Sequence, residues 1–141
     1  MLKKLLLTFV LIVVIGLIGY WGFKRSVPNA GGLQPVITVT PLEYDFGTIN
    51  YGQTVEQVFT ILNNGQKELK VSSVSTSCGC TKATISDQTI ATGEKADLQV
   101  TYKTADMTGA HAKGDQERRI FIKSNDPQSP MMIVQIKAYV K

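Results

Sequence analysis

Residues 97 to 103 read Asp-Leu-Gln-Val-Thr-Tyr-Lys, and their side chains alternate without a break. Leu98, Val100 and Tyr102 fall on one side, and Asp97, Gln99, Thr101 and Lys103 on the other, which is the pattern of a strand with one buried face and one wet face. Met132, Val134, Ile136, Ala138 and Val140 repeat it against Gln135, Lys137 and Tyr139, and Ile120 and Ile122 repeat it around Phe121. Further strands are predicted at residues 36–40, 44–49, 54–62 and 69–74, all rich in β-branched or aromatic side chains. Turn chemistry separates them: Asn63-Asn64-Gly65, Thr92-Gly93-Glu94, and Asn125-Asp126-Pro127 as a hairpin loop between the last two strands. No stretch after residue 34 keeps a helical period. About seven short strands with turn signals roughly every ten residues predict an immunoglobulin-like antiparallel β-sandwich over residues 35–141.

The N-terminal part obeys different chemistry. From Leu5 to Phe23 no residue is charged, and a helix over that stretch is about 28 Å long, close to a hydrocarbon core. A transmembrane helix with basic flanks is therefore predicted over residues 1–25. Tyr20, Trp21, Lys24 and Arg25 stand where a cleavage site would need small residues, so the helix is expected to stay as a signal-anchor, with the aromatic pair at its outer interface. Residues 26–34, with Pro28, Gly31 and Gly32, read as a flexible linker. The short basic N-tail is expected to remain in the cytoplasm. That places the C-terminal domain outside a bacterial-type inner membrane, in the periplasm or beyond.

Charge limits the partners. The chain carries 15 basic and 11 acidic side chains, but Lys3, Lys4, Lys24 and Arg25 flank the apolar stretch, so the rest is formally neutral. The basic balance reports membrane flanks, and a nucleic-acid partner loses its support. The expected partners are the membrane, through residues 5–23, and a protein or envelope component.

Catalytic signatures are missing from the sequence: there is no G-x-S-x-G, H-E-x-x-H or glycine-rich phosphate loop, so no enzyme is predicted. The chain has two cysteines, Cys78 and Cys80, separated by Gly79. Three readings of them stay open. Bridging neighbours two apart in a strand needs a bend, which Gly79 permits, and a disulfide so made is of the reducible, redox-active kind. Alternatively both thiolates hold one soft ion, copper or zinc, with Met107, His111 or a partner completing the set, although a closed structural zinc site has four ligands. Or the pair caps a strand as small apolar residues with no cofactor at all. His111, the lone histidine, reads as a solvated side chain in a long loop, residues 104–116, which holds few large apolar groups and is expected to be mobile. Asp126 is assigned to the turn rather than to chemistry.

The ordered set Asp45-Phe46-Gly47-Thr48-Ile49, Phe59-Thr60-Ile61, Asn64-Gly65, Ser77-Cys78-Gly79-Cys80-Thr81, Gly93-Glu94 and Ser124-Asn125-Asp126-Pro127 resembles the bacterial domain of unknown function fifteen seventy-three. That family is similar to immunoglobulin-like domains of the Hydin and major-sperm-protein type. The resemblance covers about residues 35–141. It implies a seven- to eight-stranded sandwich, frequently secreted or membrane-attached, and assigns no role to Cys78 or Cys80. Against the family's compact loop, this chain looks enlarged at residues 110–116. The function expected is a non-enzymatic binding or assembly module of the envelope, with thiol-redox or copper handling at Cys78-Gly79-Cys80 as the alternative.

Overall fold

The computed structural model describes residues 33–109 and 112–141. The predicted membrane helix, most of the linker, and His111 lie outside the described residues. Among the described residues no helix is long and apolar enough to cross a membrane.

Among the described residues nine strands form: β1 (Ile37–Thr40), β2 (Glu43–Ile49), β3 (Thr54–Asn63), β4 (Leu69–Thr76), β5 (Thr81–Ile85), β6 (Thr89–Ile90), β7 (Lys95–Lys103), β8 (Gly114–Ser124) and β9 (Met131–Val140). One sheet has the order β1-β3-β7-β5 and the other β2-β9-β8-β4-β6. The seven predicted strands are all present. The two that sequence reading passed over are β5, with one large apolar residue in five, and β6, with two residues, each too short or too polar to show a period of two.

One pairing corrects the antiparallel expectation: β2 runs parallel to β9, with Tyr44 opposite Ile136 and Thr48 opposite Tyr139. Alternation records which face a residue takes and says nothing of its partner's direction. A parallel pair needs a long connection between its strands, and here nearly the whole domain lies between β2 and β9.

The inner faces of the two sheets make one core. Phe59, Ile61, Leu98, Val100, Ile120, Ile122 and Val134 are fully buried, with Tyr102, Ile136 and Val140 almost so. Each such aliphatic or aromatic side chain contributes about 1.5 to 3 kcal/mol on leaving water, so the alternation at residues 97–103 is itself a main source of the fold's stability.

The segment after β7 also departs from expectation. It folds into a 3-10 turn, Thr104–Asp106, and buries Thr104, Met107 and Ala112, while Gly114 to Gln116 already belong to β8. Thr104 Oγ1 donates to the Gln53 carbonyl at 2.9 Å, and the Tyr51 hydroxyl donates to the Met107 carbonyl at 3.1 Å. The described part of this loop is held by scattered single anchors, Thr104, Met107 and Ala112, with no period that a hydropathy pattern would register.

Candidate functional site

The chain leaves β4 at Thr76 and turns through Ser77-Cys78-Gly79-Cys80 into β5. The turn is fixed by its backbone. The Ser77 N–H donates to the Arg119 carbonyl at 2.9 Å, the Lys103 N–H donates to the Cys80 carbonyl at 2.9 Å, and the Thr76 hydroxyl lies 3.0 Å from the Cys78 carbonyl and 2.9 Å from that of Thr81. Cys78 and Cys80 are joined as a disulfide, with their Cα atoms 5.3 Å apart. Gly79 is exposed, and a Cβ placed on it would meet nothing within 4 Å, so the outer side of the turn is open.

The two sulfurs differ in surroundings. Cys78 is half-buried at the surface, whereas Cys80 is 6% exposed and joins the core. Thr81 Oγ1 lies 3.4 Å from Cys78 Sγ and 3.8 Å from Cys80 Sγ. Because a disulfide sulfur carries no hydrogen, Thr81 is the donor in these contacts. Arg118 Nε donates to Cys80 Sγ at 3.3 Å.

Arg118 collects the rest of the site. Its Nη2 reaches Met107 Sδ at 3.1 Å and Gln116 Oε1 at 2.6 Å, its Nη1 donates to the Glu117 carbonyl at 2.7 Å, and its guanidinium carbon stands 5.8 Å from the centre of the Tyr102 ring. The Tyr102 hydroxyl donates to Met107 Sδ at 3.2 Å. Burial raises the Tyr102 pKa, and the Arg118 charge partly offsets that rise. Every one of these Arg118 partners is neutral. The ion pairs among the described residues are Glu68 with Lys70, Glu117 with Arg119 and Glu43 with Lys137, all at the surface.

Cys78, Gly79, Cys80, Asp106, Met107 and Arg118 thus line one open cleft of about 220 Å³. A larger opening of about 580 Å³ lies beside β2 and β9, where Asp45, Asp115 and Glu117 surround Lys137. Its charged groups are tied to neighbours outside it: Lys137 Nζ donates to Glu43 at 2.8 Å, which raises the lysine's pKa, and Glu117 pairs with Arg119. The smaller cleft holds the disulfide.

Of the residues singled out from sequence, Cys78 and Cys80 are brought together and Met107 stands at the same cleft, through Arg118. With both sulfurs in the disulfide, copper or zinc could bind them only after reduction to thiolates. Among the described residues no three of His, Cys, Asp and Glu gather as a metal-binding group. Sequence reading missed Arg118. The signal was there, because Arg118 shares the inward register of Ile120 and Ile122 on β8, and a charge at an inward position asks for a reason.

The opposite end of β4 is built from hydrogen bonds. Asp126, 2% exposed, accepts from the backbone N–H groups of Ile37, Gln128 and Ser129 at 2.9, 2.8 and 3.2 Å. Asn125 Oδ1 accepts from the Lys70 N–H at 2.8 Å and its Nδ2 donates to the Glu68 carbonyl at 3.1 Å. These contacts give Asp126 the structural role expected of it.

The sequence pattern of the family described as "Protein of unknown function (DUF1573)" matches residues 37–140. Among solved structures the chain is similar to a protein of unknown function from Porphyromonas gingivalis W83, with 25% identity and a TM-score of 0.69 over 81% of this chain and 51% of that one. The chain thus spans about half the length of that protein. It is similar in fold to PapD-like domain 7 of human CEP192, at 11% identity and a TM-score of 0.60, over 82% of this chain and 92% of that one. A third likeness, to the Vibrio cholerae VesB protease, has 16% identity and a TM-score of 0.57 over 75% of this chain and 32% of that one. Among curated proteins nothing matches.

Proposed function

We propose that this chain, which belongs to the DUF1573 family by its match over residues 37–140, is a non-enzymatic binding or assembly module that takes an extended segment of a partner protein along β5. In this reading residues 5–23 anchor the chain in a bacterial inner membrane, and the sandwich stands on the outer side.

One observation carries the reading: of the four sheet edges among the described residues, β5 has the longest regular run, five residues without proline, glycine or a register shift. β1 has four residues between Pro35 and Pro41, and its Ile37 N–H is already taken by Asp126. β2 is broken by a register shift between Asp45 and Thr48. β6 has two residues. β5 pairs with β7 in unbroken register from Thr81 to Ile85, contains no proline or glycine, and exposes Lys82 and Thr84; at its start the Thr81 N–H donates to the Cys78 carbonyl and the Thr81 carbonyl accepts from the Thr76 hydroxyl, so an added strand would pair beyond Thr81. Short, bulged or proline-bounded edges resist strand addition, and a regular unblocked edge accepts it, because its unpaired N–H and C=O groups match those of an extended chain.

The test is site-specific photo-crosslinking in membranes with the full chain. A photoreactive residue at Lys82 or Thr84 should give a discrete adduct that the same residue at Glu43, beside the shifted edge, does not give. Equal yields from both edges, or none from β5, would sink the edge reading. A reporter fused after Lys141 that works only in the cytosol would sink the topology.

A further inference from the structure

We propose that Cys78–Cys80 is a thiol–disulfide exchange site with fixed roles: Cys78 is the sulfur attacked by a partner's thiolate, and Cys80 is the leaving sulfur, received by Arg118. The proposal does not depend on strand addition at β5.

Access decides the first role. Exchange requires a thiolate to approach one sulfur from outside. Cys78 is half-buried beside the open side of Gly79, whereas Cys80 is buried and covered by the Arg118 side chain. A protein-borne thiolate therefore meets Cys78 Sγ first.

Electrostatics decides the second. A departing sulfur leaves faster the better its thiolate is stabilised, and a neighbouring guanidinium is a recognised means of lowering a thiol's pKa. Arg118 has no carboxylate to neutralise it among the described residues, and its Nε–H already points at Cys80 Sγ from 3.3 Å. The surrounding contacts hold that aim: Met107 Sδ, Gln116 Oε1 and the Glu117 carbonyl occupy the other guanidinium nitrogens, and the Tyr102 ring lies beneath. Thr81 Oγ1, 3.4 Å from Cys78 Sγ and 3.8 Å from Cys80 Sγ, can serve either sulfur, so the choice between them falls to Arg118. The other charged group lining the cleft is Asp106, exposed in the 3-10 turn, where water screens it.

The partner implied is a protein dithiol. Its thiolate attacks Cys78 Sγ, the Cys78–Cys80 bond breaks, and the electron pair stays on Cys80 as a thiolate. A mixed disulfide now joins the partner to Cys78. The partner's second thiol loses its proton and attacks its own linked sulfur, which expels Cys78 as a thiolate that takes up a proton. Two electrons pass to this domain, and the partner ends as a disulfide. Run in reverse, the reduced domain gives the same two electrons to a partner disulfide.

Glutathione serves as the probe, on the full chain in detergent. Acid-quenched peptide mapping early in reduction should find the glutathione adduct on Cys78. With oxidised glutathione, which exchanges one glutathione onto a free thiolate and releases the other, Cys80→Ser should take up a stable adduct at Cys78, and Cys78→Ser should form little at Cys80. Arg118→Gln should slow reduction by about three- to tenfold, and Arg118→Lys, which restores the charge, should recover part of the rate. Melting curves on both Arg118 variants show that each remains folded. An adduct mapped to Cys80 in the unmutated chain, which needs no variant to read, overturns the roles. So does a reduction rate that a folded Arg118→Gln variant leaves unchanged.

Discussion

The two ends of β4 are closed by different chemistry. At the Leu69 end, side chains from one turn bond to backbone: Asn125 caps Lys70 and Glu68, and buried Asp126 gathers three N–H groups, one of them 89 residues away at Ile37. At the Thr76 end a covalent bond, a thioether, a phenol and an unneutralised guanidinium meet in an open cleft. A buried carboxylate saturated with backbone donors is a lock, since removing it strands every donor it served. A cation that touches a sulfur and faces solvent is poorly explained as a lock, because neutral partners return little for holding its charge. If the proposed exchange role holds, the difference separates stability from reactivity along a single strand, and it can be broken from either end.

The largest effect is expected from Asp126→Ala, which leaves three N–H groups without their acceptor, that of Ile37 buried and those of Gln128 and Ser129 part-buried. A loss on the order of 3 kcal/mol should appear in urea unfolding, and Asp126→Asn, which keeps one carbonyl oxygen, should lose less. If Asp126→Ala unfolds like the unmutated chain, that end is not a lock. Gly65→Ala attacks the same end through sterics. A Cβ there would collide with the backbone of Gln34 and Val36, which run alongside, so one of the two segments must move. The cost should be about 2 kcal/mol, read by the same unfolding curve.

The sulfur end should answer more weakly in stability. The disulfide closes a loop over residues 78 to 80 only, and so short a ring removes little entropy from the unfolded chain, roughly 1.6 kcal/mol by loop-closure reasoning. The double variant Cys78→Ser, Cys80→Ser should therefore melt only a little below the unmutated chain. A loss as large as that of Asp126→Ala would make the disulfide a structural staple and remove the contrast between the ends.

The same contrast marks what sequence could reveal. Alternation at residues 97–103 and 132–140 identified the buried faces, because burial on one side of a strand writes itself into every second residue. Asn125-Asp126-Pro127 declared its turn because those side chains bond locally. The attachment of Asp126 to Ile37 did not show, and neither did the parallel pairing of β2 with β9, since both depend on strands brought together only by the fold. The cleft was half legible. Cys78-Gly79-Cys80 stood out by spacing, while Arg118 and Tyr102 are spread over β8 and β7 and converge only when the two sheets close. Arg118 alone gave a local sign, as a charge in the inward register of Ile120 and Ile122.

The smallest expected effect is a dependence on pH confined to the Asp126 end. Burial pushes this carboxyl upward, but the N–H groups of Ile37, Gln128 and Ser129 together outweigh it and hold the pKa below its ordinary 3.8. A carboxyl whose folded pKa lies below its unfolded one adds stability above the unfolded value and loses it as pH falls through the folded value. The unmutated chain should accordingly give up this contribution only below about pH 4. Asp126→Asn carries no proton to gain there, so its unfolding free energy should fall less steeply over the same range. The double cysteine variant keeps Asp126 and should follow the acid slope of the unmutated chain. Urea midpoints at pH 6 and pH 3 for the three proteins decide the matter, and a slope in Asp126→Asn equal to that of the unmutated chain would assign the acid sensitivity to other carboxylates.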